Sequence, residues 1–466
     1  MAVLVITALA AMVAAGIMYR VRALSSAATA TEDGEQARAA AMAGIRRVTH
    51  LLQAHPHDPS AWTDVPEDLA NQLVADTGRA RWYFTVWAPR EGDDAQVRYG
   101  VVDEAAKINL NQASPETLSA LGLTPEQVDS LLDYLDADDE TRPAGAEQGY
   151  YSQLPHPYRI PNARRLGTLD ELLVVQAFAA PDVYGEDVNL NGLLDAGEDD
   201  GEETFPPDNA DGMLDRGIRR WATCRSSSPA LGADGTEKLS LNEAEIEELE
   251  EEGLGPEAVE LIEAYRRDGK SFDHPAELLN MTYRPSKPSP DSDQGPRRER
   301  RQEADDEPAE SVELSSGVGA DELPLVLDRL TTADSLPEGG RGRQGLVNIH
   351  TAPADVLAAL PGLDESLAGR IADVRSGLAA EEKRTIAWLY ARNILDEQAF
   401  KEVAPLLTAR GWQYRVRVVG FGVPAGRFRV FEAVLDLSGP APGLVYLRET
   451  TRLGVPFSLN PDVEQG

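Results

Sequence analysis

The first nineteen residues of this chain, MAVLVITALAAMVAAGIMY, carry no charged side chain. At about 1.5 Å per residue, a helix of this length reaches roughly 28 Å, close to the thickness of the hydrocarbon core of a bilayer. We therefore predict a single-pass membrane anchor over residues 1–19. A cleaved signal peptide is the alternative, but the apolar run is longer than a usual signal core and no basic segment precedes it.

Two basic residues, Arg20 and Arg22, follow the apolar run directly. Taken alone, the positive-inside rule places the side that follows them in the cytoplasm. A basic leader that has been removed from the start of the chain is the other explanation of this asymmetry.

The composition indicates several folded domains and argues against polyanions as partners. The 466 residues include 42% hydrophobic side chains and six tryptophans, enough for two to four cores. A formal net charge of -35 argues against nucleic acid and anionic lipid as partners, because a polyanion would be repelled over most of the surface. Cys224 is the only cysteine, which excludes an intrachain disulfide.

The two ends of the chain together predict an α+β domain. Residues 21–55 reach Pro56 without a proline, so we expect the anchor to continue as a long helix. Strand patterns bounded by turn residues occur at 81–88, 96–102, 412–421, 427–437 and 444–451. We predict that the helix packs on a small antiparallel sheet, with a helical domain inserted between the two groups of strands.

The insertion contains three similar segments, at residues 108–135, 239–265 and 347–374. Each begins with a hydrophobic residue before Asn, starts a helix, breaks at glycine and starts a second helix. The turn glycines are Gly122, Gly253 with Gly255, and Gly362. This pattern predicts three helix-hairpin-helix units, and we expect an apolar helix after each, at 169–175, 275–281 and 386–407.

Helix-hairpin-helix units often bind DNA phosphates at the glycine turn, so the alternative function is that of a membrane-anchored DNA-binding protein of a competence-like system. The second unit carries a run of acids directly before its turn: Glu243, Glu245, Glu247, Glu248, Glu250, Glu251 and Glu252. These side chains would repel a phosphate. We therefore predict a packing or protein-recognition role for the hairpins.

One segment has the spacing of a calcium-binding loop. DVNLNGLLDAGE, residues 187–198, satisfies the pattern D-x-[DN]-x-[DN]-G-x5-E without a gap. The predicted ligands are the side chains of Asp187, Asn189, Asn191, Asp195 and Glu198, with the backbone carbonyl of Leu193. Calcium would offset the mutual repulsion of this acidic segment and act as a structural cofactor. An ordinary acidic turn is the alternative.

A second, weaker loop pattern follows in DNADGMLD. Asn209, Asp211 and Asp215 occupy the third, fifth and ninth positions, with Gly212 at the sixth. Ile218 stands at the twelfth position, where an acidic ligand is expected. We predict a second calcium site here, with a solvated turn as its alternative.

These patterns divide the chain into segments. Residues 284–320 are dominated by Pro, Ser, Asp, Glu and Arg without apolar periodicity, and we expect a disordered linker there, within a segment 284–345 that is mostly disordered. The predicted domains are the anchor (1–20), the helix with the first strands (21–104), the inserted helical domain with two hairpin units and the calcium loop (105–283), the linker (284–345), the third hairpin unit (346–408) and the C-terminal strands with a tail (409–466).

The combination resembles one known family. An N-terminal apolar helix, a strand pair, INLNQAS, VNIHTAPADVLAALPGL and a terminal set of strands are similar to the general secretion pathway protein K family, the large minor pseudopilin of bacterial type II secretion systems. The hairpin at 239–265 and the linker depart from the family pattern, which indicates an enlarged, divergent member.

The resemblance implies a pseudopilin fold with an inserted helical domain that binds calcium. It also implies a place at the tip of a periplasmic pseudopilus with other minor pseudopilins, held in the inner membrane by residues 1–19 after prepilin peptidase removes a leader. Val5 agrees with the family, which is the usual exception to the acidic residue at that position of mature pseudopilins.

An enzymatic role has little support in the sequence. We find no nucleophile with a paired base and no phosphate-binding loop. The histidines are scattered without ligand spacing: His50, His55, His57, His156, His274 and His350. We predict that the protein is not an enzyme.

Overall fold

The computed structural model describes residues 2–90, 93–94, 96–160, 165–204, 207–286, 313–332, 343–439 and 441–461. The chain divides into two compact units. The first comprises Met1–Glu104, Asp133–Cys224 and Trp412–Gly466, and the second comprises Ala105–Leu132 and Arg225–Gly411. This division differs from the predicted inserted domain at 105–283, because the segment that holds the calcium-loop pattern groups with the sheet.

The first unit begins with a single helix, α1 (Ala2–Ala54). Its side chains are exposed over residues 2–28, including the apolar Val3 and Met12. Buried positions start at Asp33 and then recur every three or four residues, as expected when one face packs on a core. By length and composition α1 is able to cross a membrane, and it is the one such helix among the residues described.

Among the described residues, seven strands form the sheet of this unit: β1 (Gln72–Asp76), β2 (Arg81–Pro89), β3 (Val97–Arg98), β4 (Val102–Asp103), β5 (Gln413–Val423), β6 (Phe428–Asp436) and β7 (Gly443–Glu449). The strand order is β1-β2-β5-β6-β7, with β3 paired to β2 and β4 paired to β5. Every pairing is antiparallel. The predicted antiparallel sheet is confirmed.

Strand β1 was absent from the prediction, and the strand predicted at 96–102 is divided into β3 and β4. The break lies where Val101 donates its N–H to the carbonyl of Trp62 and the Tyr99 carbonyl accepts from Val65. Gly100 passes so close to this segment that an added β-carbon would lie 1.8 Å from the Thr63 oxygen. These local bonds take the place of ladder bonds in the sheet.

Helix α1 packs very closely on one face of the sheet. A β-carbon added to Gly420 of β5 would lie 2.0 Å from the carbonyl oxygen of Ala37 and 2.4 Å from the nitrogen of Ala41. On the helix, a β-carbon added to Gly44 would lie 2.8 Å from Val418. Small residues on both surfaces therefore allow the backbones to approach.

The opposite face of the sheet has a separate apolar cluster. Tyr83 and Trp87 of β2 and Val419 and Phe421 of β5 are buried there. Residues from the C-terminal segment pack over them: Val455, Phe457 and Leu459. Further short elements of the unit are the helices Ser60–Thr63, Pro66–Leu69, Gln148–Tyr151 and Ala180–Tyr184, the 3-10 helices Ala196–Glu198, Gly217–Arg220 and Thr451–Leu453, and the strand Ala222–Thr223.

Three pairs of helices occur where the repeats predict them: Pro115–Ala120 with Pro125–Leu135, Ile246–Glu251 with Pro256–Arg267, and Ala354–Ala358 with Glu365–Arg375. The turn glycines Gly122, Gly253 and Gly362 have φ of +88°, +88° and +84°. Gly255 has φ of −63° and precedes a helix instead of forming the turn. A shared backbone conformation therefore underlies the repeated sequence pattern.

The helices predicted after each pair are shorter than expected. Residues 169–175 and 275–281 form the 3-10 helices Leu169–Val174 and Pro275–Leu278. The range 386–407 is divided into the helices Trp388–Ala391 and Glu397–Val403 and the 3-10 helix Ala404–Leu406. Left-handed backbone at Asn280 and Asn393 ends two of these segments early.

Part of the predicted linker is folded, so the prediction over 284–345 is wrong for residues 313–332. Strand Leu314–Ser315 pairs with Thr282–Tyr283, and helix Leu323–Arg329 follows. Val318, Val326 and Leu330 are buried with the second helix pair. Residues 287–312 and 333–342 lie outside the described part of the chain.

The remaining short elements of the second unit are the 3-10 helix Glu382–Arg384 and the strands Ile108–Asn109, Ser227–Ser228, Leu239–Ser240, Leu330–Thr331, Arg343–Gln344, Val347–Asn348 and Leu407–Thr408. Some of these strands pair with each other, and two of the pairs are parallel: Leu330–Thr331 with Leu239–Ser240, and Val347–Asn348 with Leu407–Thr408. Parallel two-residue bridges thus connect segments that are distant in sequence.

The close contact between α1 and the sheet should make the free energy of unfolding sensitive to the size of residue 420. Gly420→Ala places a methyl group against the backbone of α1, and we expect a loss of about 1–3 kcal/mol in the free energy of unfolding. The matched control is Gly443→Ala in β7, where an added β-carbon would lie 3.7 Å from its nearest neighbour, the Asp436 oxygen. Urea denaturation should show the control within about 0.5 kcal/mol of wild type, and equal effects of the two variants would contradict the described contact.

Candidate metal centre

The first loop of residues 187–198 is organised around two buried carboxylates. Asp187 is 5% exposed, and its two oxygens accept the backbone N–H groups of Asn191 at 2.9 Å and Gly192 at 3.0 Å. Gly192 has φ of +78°, which gives the sharp turn that the pattern requires at this position. The first position of the loop is therefore held by the backbone of the fifth and sixth.

The asparagines at the third and fifth positions fold the loop locally. The Asn189 side-chain oxygen accepts from the N–H of Asn191 at 2.9 Å, and the Asn191 oxygen accepts from the N–H of Leu193 at 2.6 Å. Their amide nitrogens donate to one oxygen of Asp195, at 2.7 and 2.8 Å respectively. The third, fifth and ninth positions thus converge, whereas Leu193 takes part through its N–H.

Glu198 closes the loop. Its carboxylate is 5% exposed and accepts the N–H of Val188 at 2.9 Å and the N–H of Asp195 at 3.1 Å. The last position is therefore bonded to the second and the ninth. The structure brings all five predicted side-chain ligands into one compact loop of oxygen donors, the type of donor that a hard divalent cation takes.

Burial makes the charge of these carboxylates costly. It raises the pKa of Asp187, although the nearby Arg417 and the N–H groups of Gly192 and Asn191 act in the opposite direction. Burial also raises the pKa of Glu198, and the charges of Asp187 and Asp195 add to the rise. A bound cation would lower both, so the residues present fit calcium.

The loop is attached to the sheet of its own unit. Leu194 donates its N–H to the Asp94 carbonyl at 2.9 Å, and Arg417 of β5 lies 3.4 Å from the Asn191 carbonyl. A β-carbon added to Gly192 would lie 2.3 Å from Pro89. Sequence reasoning missed these contacts, because Asp94, Pro89 and Arg417 are far from the motif and have no pattern in common with it.

The second loop is more open. Asn209 and Asp211 each accept a backbone N–H two residues on, at 2.9 and 2.8 Å, and Asp215 accepts from Gly217 at 2.8 Å. All three predicted side chains are exposed.

Glu186 was missed as a member of the second loop. Its two oxygens accept the N–H groups of Asn209 and Asp215, each at 3.2 Å, and the Asp199 carboxylate accepts from Gly212 at 2.9 Å. Ile218, at the twelfth position, is buried. Two acids that flank the first loop, Glu186 and Asp199, thus accept hydrogen bonds from the second loop. In the sequence, only the position of Glu186 next to Asp187 could have indicated this role.

A separate group of carboxylates lies outside both loops. Ligand oxygens of Asp133, Asp136 and Glu147 lie within 4.8 Å of one another. Arg142 donates to Asp133 and Asp136, each at 2.5 Å, so a guanidinium already supplies positive charge there. None of the six histidines belongs to this group.

Comparison with known proteins supports one family. Residues 103–184 match the family described as type II secretion system (T2SS), protein K. No curated protein matches the chain. Among solved structures, the chain is similar to the GspK-GspI-GspJ complex of the enterotoxigenic Escherichia coli Type 2 Secretion System, with a TM-score of 0.35 and 10% identity, covering 92% of this chain and 99% of that chain. The family match bears out the predicted resemblance to the protein K family over residues 103–184.

Proposed function

We propose that this chain, whose residues 103–184 match protein K of type II secretion systems, serves as a minor pseudopilin in protein secretion. The observation that carries the proposal is that one chain combines this family segment with a long helix, apolar at its start, whose second half packs on an antiparallel sheet. The role is structural and depends on assembly, so it requires no catalytic group.

The exposed half of α1 supports attachment to the bacterial inner membrane. Apolar side chains predominate over residues 2–19, and Arg20 and Arg22 mark the end of this run. These two arginines alone would favour a cytoplasmic side, and a removed basic leader accounts for the opposite orientation. We place the sheet and the second unit in the periplasm, as the secretion role requires. Val5 puts no carboxylate into the membrane, where an unpaired acid would be costly, so we place this subunit at the tip of the pseudopilus.

We infer that the partners are other minor pseudopilins. The similar solved structure is a complex of GspK with GspI and GspJ. The sheet offers two edge strands with exposed apolar side chains, Leu73 and Val74 on β1 and Leu444 and Val445 on β7. Edges of this type pair or pack with other chains.

The three helix pairs are proposed as helix-hairpin-helix packing modules. Leu118, Leu131, Val356 and Leu357 are at most 1% exposed, so the apolar side chains of the first and third pairs are used in cores. In the second pair, Glu247, Glu248, Glu250 and Glu251 are exposed before the turn. This surface opposes the alternative DNA-binding role, because it would repel phosphates.

Calcium is proposed as a structural ligand of both loops. In the first, Asp187, Asn189, Asn191, Asp195, Glu198 and the carbonyl of Leu193 would hold it. In the second, Asn209, Asp211 and Asp215 would do so, with Glu186 beside them. The ion would offset the buried charge of Asp187 and Glu198 and fix the loop.

The assembly role predicts a direct interaction. Full-length protein in detergent should co-purify with at least one companion minor pseudopilin encoded near it, and should show no measurable binding to duplex DNA at about 150 mM salt. Co-expression with affinity purification measures the first, and fluorescence anisotropy measures the second. Failure to bind every companion, together with submicromolar, salt-sensitive DNA binding, would favour the alternative role.

The calcium site predicts a ligand-dependent stability. Calcium at about one hundred times its Kd should stabilise the wild-type chain by about 2.7 kcal/mol, because it binds the folded state alone. Asp187→Ala and Glu198→Ala should abolish most of this gain, whereas Glu260→Ala, which removes an exposed acid from helix Pro256–Arg267, should retain it. Thermal melting with calcium and with chelator measures the difference, and a wild-type melting curve that chelator leaves unmoved would identify the loop as an ordinary acidic turn.

A further inference from the structure

We propose that Arg417, far from the loop in sequence, lowers the calcium affinity of the first loop and couples its occupancy to the sheet. The proposal rests on the proposed calcium site. It assigns to Arg417 a positioning role toward the loop, and it treats the guanidinium as a built-in competitor of the ion.

The position of Arg417 follows from the pleat of β5. Val418 and Gly420 face α1, so Arg415 and Arg417 lie on the opposite face, where Val419 and Phe421 are also buried. Arg417 is paired in register with Trp87 on β2 and with Glu432 on β6. Its side chain therefore starts in the middle of the sheet and extends toward the loop.

Two contacts hold the guanidinium between sheet and loop. Its Nε lies 3.4 Å from a carboxylate oxygen of Glu432, and its Nη1 lies 3.4 Å from the backbone carbonyl of Asn191. That same nitrogen would lie 3.6 Å from a β-carbon on Gly192. Asn189, Asn191, Arg417 and Glu432 line one pocket. The arginine thus contacts the turn of the loop on the side that faces the sheet.

The charges on this face leave Arg417 dependent on the loop. Arg415 bonds to Glu104 at 2.6 Å and to Glu432 at 2.7 Å, so Glu432 is shared between two arginines. Although burial alone would raise the pKa of Glu432, Arg415 and Arg417 lower it to about 2. Asp187 supplies the next negative charge that Arg417 interacts with. A carboxylate proposed as a calcium ligand is thus also a counter-charge for an arginine whose side chain is only 19% exposed.

Calcium and Arg417 consequently compete for the same negative charge. In the ion-free loop the guanidinium stabilises Asp187 and the Asn191 carbonyl. When calcium binds, its two positive charges lie near the positive charge of the Arg417 guanidinium. Arg417 cannot lose this charge, because arginine keeps its proton. The repulsion weakens calcium binding. By linkage, the bound ion weakens the interaction of Arg417 with the loop by the same free energy.

The experiment is calcium titration by calorimetry on full-length protein in detergent, comparing two arginines on one strand. Arg417→Gln should bind calcium on the order of tenfold more tightly than wild type, since a nearby unit charge has been removed. Arg415→Gln removes the same charge from the same face and also breaks the ion pair with Glu432, but Arg415 has no described contact with the loop. Its Kd should stay within about twofold of wild type.

A melting measurement separates this role from a merely structural one. Arg417→Gln should lower the melting temperature more in chelator than in saturating calcium, whereas Arg415→Gln should lower it equally in both. If Arg417→Gln does not fold, the double variant Arg417→Gln with Glu432→Gln removes the pair together. Its matched control is Glu432→Gln alone, and the double variant should bind calcium more tightly than that control, because the two differ only by the charge of Arg417.

An unchanged or weaker calcium affinity in the Arg417 variants, with normal binding by wild type, would overturn the proposal and leave the calcium site standing. Absence of calcium binding by the wild-type chain would overturn the calcium site and this inference together.

Discussion

The central strand of the sheet, β5, carries two arginines on the face opposite α1. The acidic side chains on that face neutralise their charge. Arg415 and Arg417 share Glu432, Arg415 also takes Glu104, and Arg417 reaches the loop that holds Asp187. A buried ion pair that loses one partner is strongly destabilising, so each of these contacts constrains the others. The proposed calcium loop is therefore part of the packing of the sheet.

The opposite face of the same strand has a different requirement. Gly420 and Gly44 permit a helix–sheet approach that no larger residue would allow, which fixes where α1 crosses the sheet. Because α1 is one continuous helix, the same contact fixes where its exposed apolar half leaves the domain. Thus the proposed membrane attachment and the proposed loop are positioned from two faces of one strand.

Local patterns in the sequence predicted much of this arrangement. The length of α1, the C-terminal strands, the glycine turns of the helix pairs and the compact loop from Asp187 to Glu198 each depend on neighbours within about twenty residues. Features set by distant contacts were missed. Arg417 and Asn191 are 226 positions apart, and the folded segment at 313–332 gains its structure from strand and core partners elsewhere in the chain. The split of the strand predicted at 96–102 has the same origin, since Trp62 and Val65 take its backbone bonds.

The most direct test of the link between loop and sheet is amide hydrogen exchange on the full-length chain, with calcium and with chelator. Exchange reports local opening of backbone hydrogen bonds, so it shows how far stabilisation extends. The account predicts that calcium slows exchange in residues 187–198 and alters it in β5 and β6 around Arg417 and Glu432, where the repulsion between the ion and Arg417 acts. Protection confined to residues 187–198, with the two strands unchanged, would contradict it.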